Sequence, residues 1–426
     1  MASTGSNSST LTVDVAPGTR ADIVVGLTTY NDVRTAAAVA AAARESLARH
    51  FGSRPARIVL ADSGSTDGTR EAVSERLGDT LLLIETPRAT LAELPYHGHP
   101  ARATGVRAIL QAAQRMGASV CAIVDPRLET ATPDSVQRLV LPVLEDQLDF
   151  VSPHYARRMN EGTITRGLVY PAFRALYGVR LRQPAAGEFA CSERMVGRFL
   201  GETFWEAEHA HASIDLWLAA AAVTADARIG EVAFGPRRAT PLEPPLDLST
   251  TLAQIVGALF ADLEHRADIW QRTRRSTPVA LVGETPTPIS TPAAAPVAVD
   301  AQHYLESFRL GYRELREIWT WVLPPRTIVE LRRLTDLPPE RFRFDNRLWA
   351  TIIYDFALGF SLRVMPHDHL LRSLTPLYSG WLASFVLQLQ AATPDAVDAH
   401  VEQVCLAFEA EKRYLIARWR WPERMR

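Results

Sequence analysis

Three stretches of this chain, "ADIVVGLTTYND", "RIVLADSGSTDGT" and "VCAIVDPRLE", follow one plan. Each is a short apolar run that stops in a polar loop of Asp, Ser, Thr or Gly. The segments between them have helical composition: "DVRTAAAVAAAARESLARHF" after the first, and residues 101–116 before the third. Ala, Leu and Arg favour helix, whereas apolar runs this short, bounded by turn residues, form buried strands. "TLLLIET" supplies a further strand. Strands alternating with helices specify an α/β fold with a mostly parallel sheet. Such sheets bind ligands beyond the carboxyl ends of their strands. Loops 28–32, 62–69 and 125–129 are therefore where chemistry is expected.

The rest of the chain divides by composition. Residues 1–20 are Ser, Thr, Gly and Asn with little to bury, and are expected to be disordered. Residues 21–275 form the α/β domain. It includes a long amphipathic helix after "PPLD", for which Asp247 or Ser249 is the natural cap. Residues 276–300 contain the Pro/Ala-rich "GETPTPISTPAAAPVAVD", a linker or strap. Residues 301–426 are helical and dense in Leu, Trp, Phe and Arg. Their Trp319, Trp321, Trp349 and Trp381 are expected in a core; a homodimer interface or a lid is the alternative. The net charge of -2 gives no basic field for nucleic acid. Cys121, Cys191 and Cys405 are few, odd in number and far apart, which argues against disulfides and for a reducing, cytoplasmic setting. No apolar run approaches the length that spans a bilayer.

"LADSGSTDGT" is the most informative segment. Asp62 ends a strand, Gly64 and Gly68 permit a tight turn, and Ser63, Ser65 and Thr66 add short donors beside a helix start. Such a loop suits a nucleoside and phosphates; a plain strand-to-helix turn with Asp67 as cap is the alternative. It is neither a dinucleotide fingerprint nor a Walker loop. In "GLTTYND", Asn31 and Asp32 either cap the next helix or join the same site. In "YARR", Arg157 and Arg158 suit a small anion; a solvated surface pair is the alternative.

In order and spacing these stretches resemble the first half of a GT-A nucleotide-sugar glycosyltransferase. "YHGHPARATGVRAI", "YARR", "GTITRGLVYP", "RQPAAGEFACSERM" and "SIDLWL" narrow the resemblance to the glucosyl-3-phosphoglycerate synthase and mannosylglycerate synthase group. More faintly, "PPRTIVELRRL" and "FDNRLWATIIYDFAL" resemble the helical region of mannosylglycerate synthase. The resemblance implies a cytoplasmic hexosyltransferase that moves glucose or mannose, with retention, from a nucleotide diphosphate sugar of the UDP-glucose or GDP-mannose class. The implied acceptor is a small anion such as glycerate or phosphoglycerate. It implicates Thr28, Tyr30, Asp32, Asp62 and Ser63 in nucleoside binding and Asp125 in orienting ribose or sugar. Glu188, in "QPAAGE", and Asp215 would meet sugar hydroxyls as the catalytic pair. Tyr155, Arg157, Gly162, Thr163 and Thr165 would seat the acceptor.

The family's metal site departs from its pattern here. The second acid of an Asp-x-Asp pair is Arg127, and the distant histidine is missing from "EVAFGPRRAT". The family's Gly-Lys-Gly is Ala101, Arg102, Ala103. Asp125 is the only retained candidate ligand for a divalent Mg or Mn ion. One reading is that Arg102, Arg127 and Arg238 take over the metal's charge at the diphosphate. The other is an inactive, glycosyltransferase-like binding or scaffold protein.

Overall fold

The computed structural model describes residues 13–87, 101–241, 246–283 and 300–420. Its strands are β1 (Ile23–Thr29), β2 (Ala56–Asp62), β3 (Leu81–Glu85), β4 (Val120–Val124), β5 (Phe150–Ala156), β6 (Phe189–Ser192), β7 (Ile229–Pro236) and β8 (Ala280–Val282). The α/β class and the helical C-terminal region are as expected. The residues fall into two compact units.

The first unit takes residues 13–87, 101–150 and 187–202. Its strands run β3-β2-β1-β4-β6. The first four are mutually parallel, and β6 lies antiparallel to β4. β1 and β4 are buried at every residue, which is why β4 and β1 up to Leu27 carry no polar alternation. Helices Ala36–Phe51, Thr69–Leu77 and Arg102–Met116 make the crossovers. From β1 the chain winds outward through β2 to β3, then returns to place β4 on the other side of β1. The carboxyl ends of β1 and β4 thus flank a topological switch point, where open α/β sheets bind ligands. Helix Arg102–Met116 lies very close to this point because two glycines let it. A Cβ on Gly26 would sit 2.4 Å from Ile109, and one on Gly105 would sit 2.9 Å from Thr28.

Residues from Val13 already belong to this unit. Val13 is buried, and Arg115 donates to its carbonyl oxygen. The expected disorder of residues 1–20 therefore does not extend over 13–20; residues 1–12 lie outside the described residues.

The second unit takes residues 151–186, 203–241, 246–283 and 300–420. β5, β7 and β8 are neighbours in that order, and β7 and β8 are parallel. The division expected at 275 and 300 is not where the compact units separate. Helix Pro394–Arg420 packs on helix Tyr170–Tyr177, and helix Leu248–His265 packs on helix Asn346–Ser361, so the later part of the expected α/β domain shares a core with the C-terminal helices. Residues 276–283 are not a linker either, since β8 pairs with β7; the remainder of the expected strap, 284–299, is not described. Asp247 is the cap of Leu248–His265, its side chain accepting from Thr250 N. Trp319, Trp349 and Trp381 are buried as expected, but Trp321 is 68% exposed. It lies in the short turn after helix Ala301–Trp319, beyond the helical periodicity that buries Trp319.

Candidate functional site

At the switch point the loops after β1 and β2 are tied together. Thr29 Oγ1 donates to Asp62, Asn31 N donates to Ser65 Oγ, and Thr66 N donates to Asn31 Oδ1. Asp32 N and Val33 N donate to Thr69 Oγ1 and Asp67. Asn31 takes a left-handed backbone conformation, φ 57°, to reach across. The helix-cap reading of Asn31 is thereby replaced: its side chain serves the neighbouring loop. Asp67 accepts from Thr69 N and Oγ1 at the start of helix Thr69–Leu77. Burial works against its charge, yet the bonds from Thr69 and Val33 hold its pKa below the ordinary carboxylate value.

Asp62 has a different role from the one expected of it. It is fully buried, and its carboxylate accepts from Gly64 N, Ser65 N, Thr29 Oγ1 and Ser65 Oγ, at 2.6–3.0 Å. A carboxylate offers about four acceptor positions, and these bonds use that many. Asp62 therefore shapes the loop rather than presenting a free oxygen to a nucleoside. Ser63 is likewise turned inward, onto Thr86 Oγ1. Thr28, Tyr30 and Asp32 stand at the end of β1. Tyr30 is half-buried, its N–H held by Asp32 Oδ2 at 2.9 Å.

Arg102 opens helix Arg102–Met116 and is 2% exposed. Its guanidinium donates to Thr28 Oγ1 at 3.0 Å and to the Gly187 carbonyl at 2.7 Å. Gly187 precedes Glu188, which is fully buried and immediately before β6. Because Phe189 is in register with Ile123 in an antiparallel pair, Glu188 lies at the same sheet edge as Asp125.

At the end of β4 Arg127 folds back on Asp125. Its backbone N–H donates to Oδ1 at 2.9 Å, and its Nε and Nη2 lie 3.4 Å from Oδ1 and Oδ2. Asp125 is 0% exposed and Arg127 is 8% exposed. The side chain that stands where a second acid is expected thus neutralises the first. Among the described residues no group of three His, Cys, Asp or Glu is placed to hold a metal ion. His97 and His99, the two loop histidines of "YHGHP" that could add to a single acid, lie outside the described residues. Among the described residues, the donor set around Asp125 is one carboxylate paired with a guanidinium, which does not fit a hard divalent cation.

In the second unit the residues expected to seat an anion do come together. Tyr155, near the end of β5, packs its ring on Phe234 of β7. The Arg157 guanidinium carbon lies 5.0 Å from the Tyr155 ring centre, and that of Arg237 lies 5.8 Å from it. Arg157 also donates to Gln183 Oε1 at 3.0 Å. Gly162, φ +61°, lies flat against the same guanidinium: a Cβ there would be 2.4 Å from Arg157 Nη1. His154 stands in the field of Arg182 and Arg157. Burial first, then these two cations, push its pKa down to about 4, so it is neutral at physiological pH. Arg182 itself is paired with buried Glu231 at 2.7 Å.

Thr163 and Thr165 follow on a segment braced by the C-terminal helices. Tyr378 Oη donates to Thr163 Oγ1 at 2.8 Å, and Trp349 Nε1 donates to the Gly167 carbonyl at 2.8 Å. Thr165 begins a π-helical turn, Thr165–Val169, a feature that often marks functional sites. The turn leaves room at Gly167 for the Trp381 ring, which would lie 2.0 Å from any Cβ. Asp215 is buried in the first turn of helix Ile214–Thr224, in this second unit, whereas Glu188 belongs to the first. Arg238, expected at the diphosphate, is exposed, and its neighbour Arg237, not singled out in the sequence, faces Tyr155. His154 and Arg237 were missed because the pairing of β5 with β7 has no local sequence signal.

No family model matches the chain, and no curated protein matches it. Among solved structures it is similar to glucosyl-3-phosphoglycerate synthase from Mycobacterium tuberculosis in complex with Mn2+, UDP and glucosyl-3-phosphoglycerate. That match has 21% identity, 57% of this chain and 80% of that chain covered, and a TM-score of 0.42. It is also similar to mannosyl-3-phosphoglycerate synthase from Rubrobacter xylanophilus, at 17% identity, 61% and 79% coverage and a TM-score of 0.41. TM-scores this low place no residue of this chain on a residue of theirs.

Proposed function

We propose that this protein is a glycosyltransferase that moves a hexose from a nucleotide diphosphate sugar to a small anionic acceptor of the glycerate or phosphoglycerate class. The observation that carries the reading is the basic cluster on Tyr155. There Arg157, Arg237, Gln183 and Gly162 converge, four positions drawn from three separate stretches of sequence. Arginine forks of this kind bind carboxylate and phosphate bidentately. Arg157 and Arg237 would hold the acceptor's charge, and neutral His154 would accept a hydrogen bond or take up a proton beside it. Tyr30 and Asp32 would meet the nucleoside, on loops held in shape by Asp62 and Asn31. Arg102 would face the diphosphate, and Glu188 and Asp215 would bind sugar hydroxyls.

We further propose that donor binding needs no divalent ion. With Asp125 already paired to Arg127, a cation would have to break a buried ion pair before it gained a ligand. The leaving diphosphate would instead be stabilised by fixed guanidinium groups in a dry site, a form of electrostatic preorganisation.

The test is a transfer assay that offers UDP- and GDP-hexoses with glycerate or 3-phosphoglycerate and detects the hexosylated acid by mass spectrometry. Appearance of the product supports the reading. Absence of both product and nucleotide binding overturns it in favour of a binding or scaffold protein.

A further inference from the structure

The second unit contains a cavity of about 290 Å³ that the proposed reaction does not use. It is lined by Arg174, Arg180, Arg274, Arg275, Glu409 and Lys412. Its volume is near the lower end of small-molecule sites, about 300 Å³. Its charge is one-sided. Arg174, fully buried, is offset by Glu402, to which its Nη1 and Nη2 donate at 2.6 and 2.8 Å, and by Glu409 at 2.8 Å. Among the described lining residues, Arg180, Arg274, Arg275 and Lys412 stand beside Arg174 with one carboxylate, Glu409, which is already bonded to Arg174.

The walls are fixed by backbone bonds. Arg180 N donates to the Thr277 carbonyl and Thr277 N to the Gly178 carbonyl, each at 2.9 Å. These bonds pin the segment that carries Arg274 and Arg275 against the strand-like residues 178–180. Ser276 Oγ accepts from Arg174 Nε and Arg180 Nε at 3.3 and 3.2 Å. Lys412 donates to the Leu176 and Thr273 carbonyls, both at 3.0 Å. Two of its three N–H bonds are thus committed, and a third remains available to a ligand. Burial lowers the Lys412 pKa to about 8, with Glu409 opposing the shift and Arg274 adding to it.

We propose that this cavity is a binding site for a small phosphate-bearing anion, built from different residues than the Tyr155 cluster. Arg180, Arg274, Arg275 and Lys412 supply charge-assisted donors, and Ser276 a neutral one. Lys412, Glu402 and Glu409 all lie on helix Pro394–Arg420. An occupant would therefore fasten that helix to residues 174–180 and 273–276. Binding stabilises the folded state by mass action, so the occupant acts as a stabilising effector.

Isothermal titration and thermal melts with inorganic phosphate, pyrophosphate and 3-phosphoglycerate test this, at about 0.15 M salt to suppress diffuse attraction. Three forms are compared: the full chain, Arg157→Ala, and the double variant Arg274→Glu, Arg275→Glu, whose changes fall on exposed side chains. At least one of the anions should raise the melting temperature of the full chain and of Arg157→Ala. The double variant should lose affinity by about tenfold or more, as removal of charged hydrogen bonds implies. Near pH 8 binding should take up a proton onto Lys412, seen as a heat that changes with buffer ionisation enthalpy. No binding at about 1 mM ligand, binding unchanged in the double variant, or binding abolished by Arg157→Ala would each overturn the proposal.

Discussion

The two units handle charge in opposite ways. At the switch point of the first, two acids have internal roles: Asp125 is paired with Arg127, and Asp62 accepts from its own loop and from Thr29. Around Tyr155 in the second, Arg157 and Arg237 approach one ring with a neutral histidine nearby. The first arrangement is a frame tied by its own hydrogen bonds. The second, in the proposed function, is where the acceptor's charge would be held. A carboxylate at a strand end is therefore not by itself a ligand contact. What decides is whether its acceptor positions are already filled.

The largest expected effect is on the frame. Asp62→Ala removes one acceptor from four donors, two of them backbone N–H groups. Leaving buried donors unsatisfied costs about 1–3 kcal/mol each before relaxation. A total loss of about 3 kcal/mol or more of stability is expected, read as a lower midpoint in urea. A stability unchanged within error, with only nucleotide affinity lost, would return Asp62 to the role of ligand contact.

Next comes the cationic surface. Arg157→Ala should raise the acceptor KM by about tenfold to a hundredfold, with a much smaller change in donor KM. Equal effects on the two would remove the distinction between the units.

The His154 pKa of about 4 lies below the ordinary 6.5. Its neutral state contributes stability that is fully present above pH 6.5 and is lost as pH falls toward 4, because only the unfolded chain takes up the proton in that window. A bound carboxylate would favour the protonated ring. Glycerate should thus bind more tightly as pH falls through this range, and His154→Gln should flatten both profiles. An unaltered pH profile in the variant would place His154 outside the cluster.

The smallest effect is expected from Tyr378→Phe, which deletes the hydrogen bond to Thr163. A loss of about 1 kcal/mol is expected, with a modest rise in acceptor KM. No change in KM would limit the C-terminal helices to a packing role around Gly167.

Much of the first unit could be read from the chain. Uninterrupted apolar runs ending in Asp62 and Asp125 located the strands, because a sheet covered on both faces leaves no polar alternation. The cluster of Tyr155, Arg157 and Gly162 was also legible, since all three lie within one short stretch. Arg237 was not: β7 ends at Pro236, and no periodicity decides which of two successive arginines turns inward. The division into units was hidden for a related reason. It depends on helix Pro394–Arg420 packing on Tyr170–Tyr177, a long-range contact that composition does not encode. The internal use of Asp62 follows from loop geometry, which depends on hydrogen bonds to residues as distant in sequence as Thr29.

In the proposed function the Arg127–Asp125 pair takes the place of a metal site. Titration of UDP- and GDP-sugars into the unmodified protein, once with a chelator and once with manganese, tests this claim. Equal donor affinity in the two conditions, weakening as salt rises through the range where the screening length falls below about 8–10 Å, is the predicted result. Donor binding that appears only with manganese would contradict the claim, because Asp125 would then have to leave Arg127 for the ion.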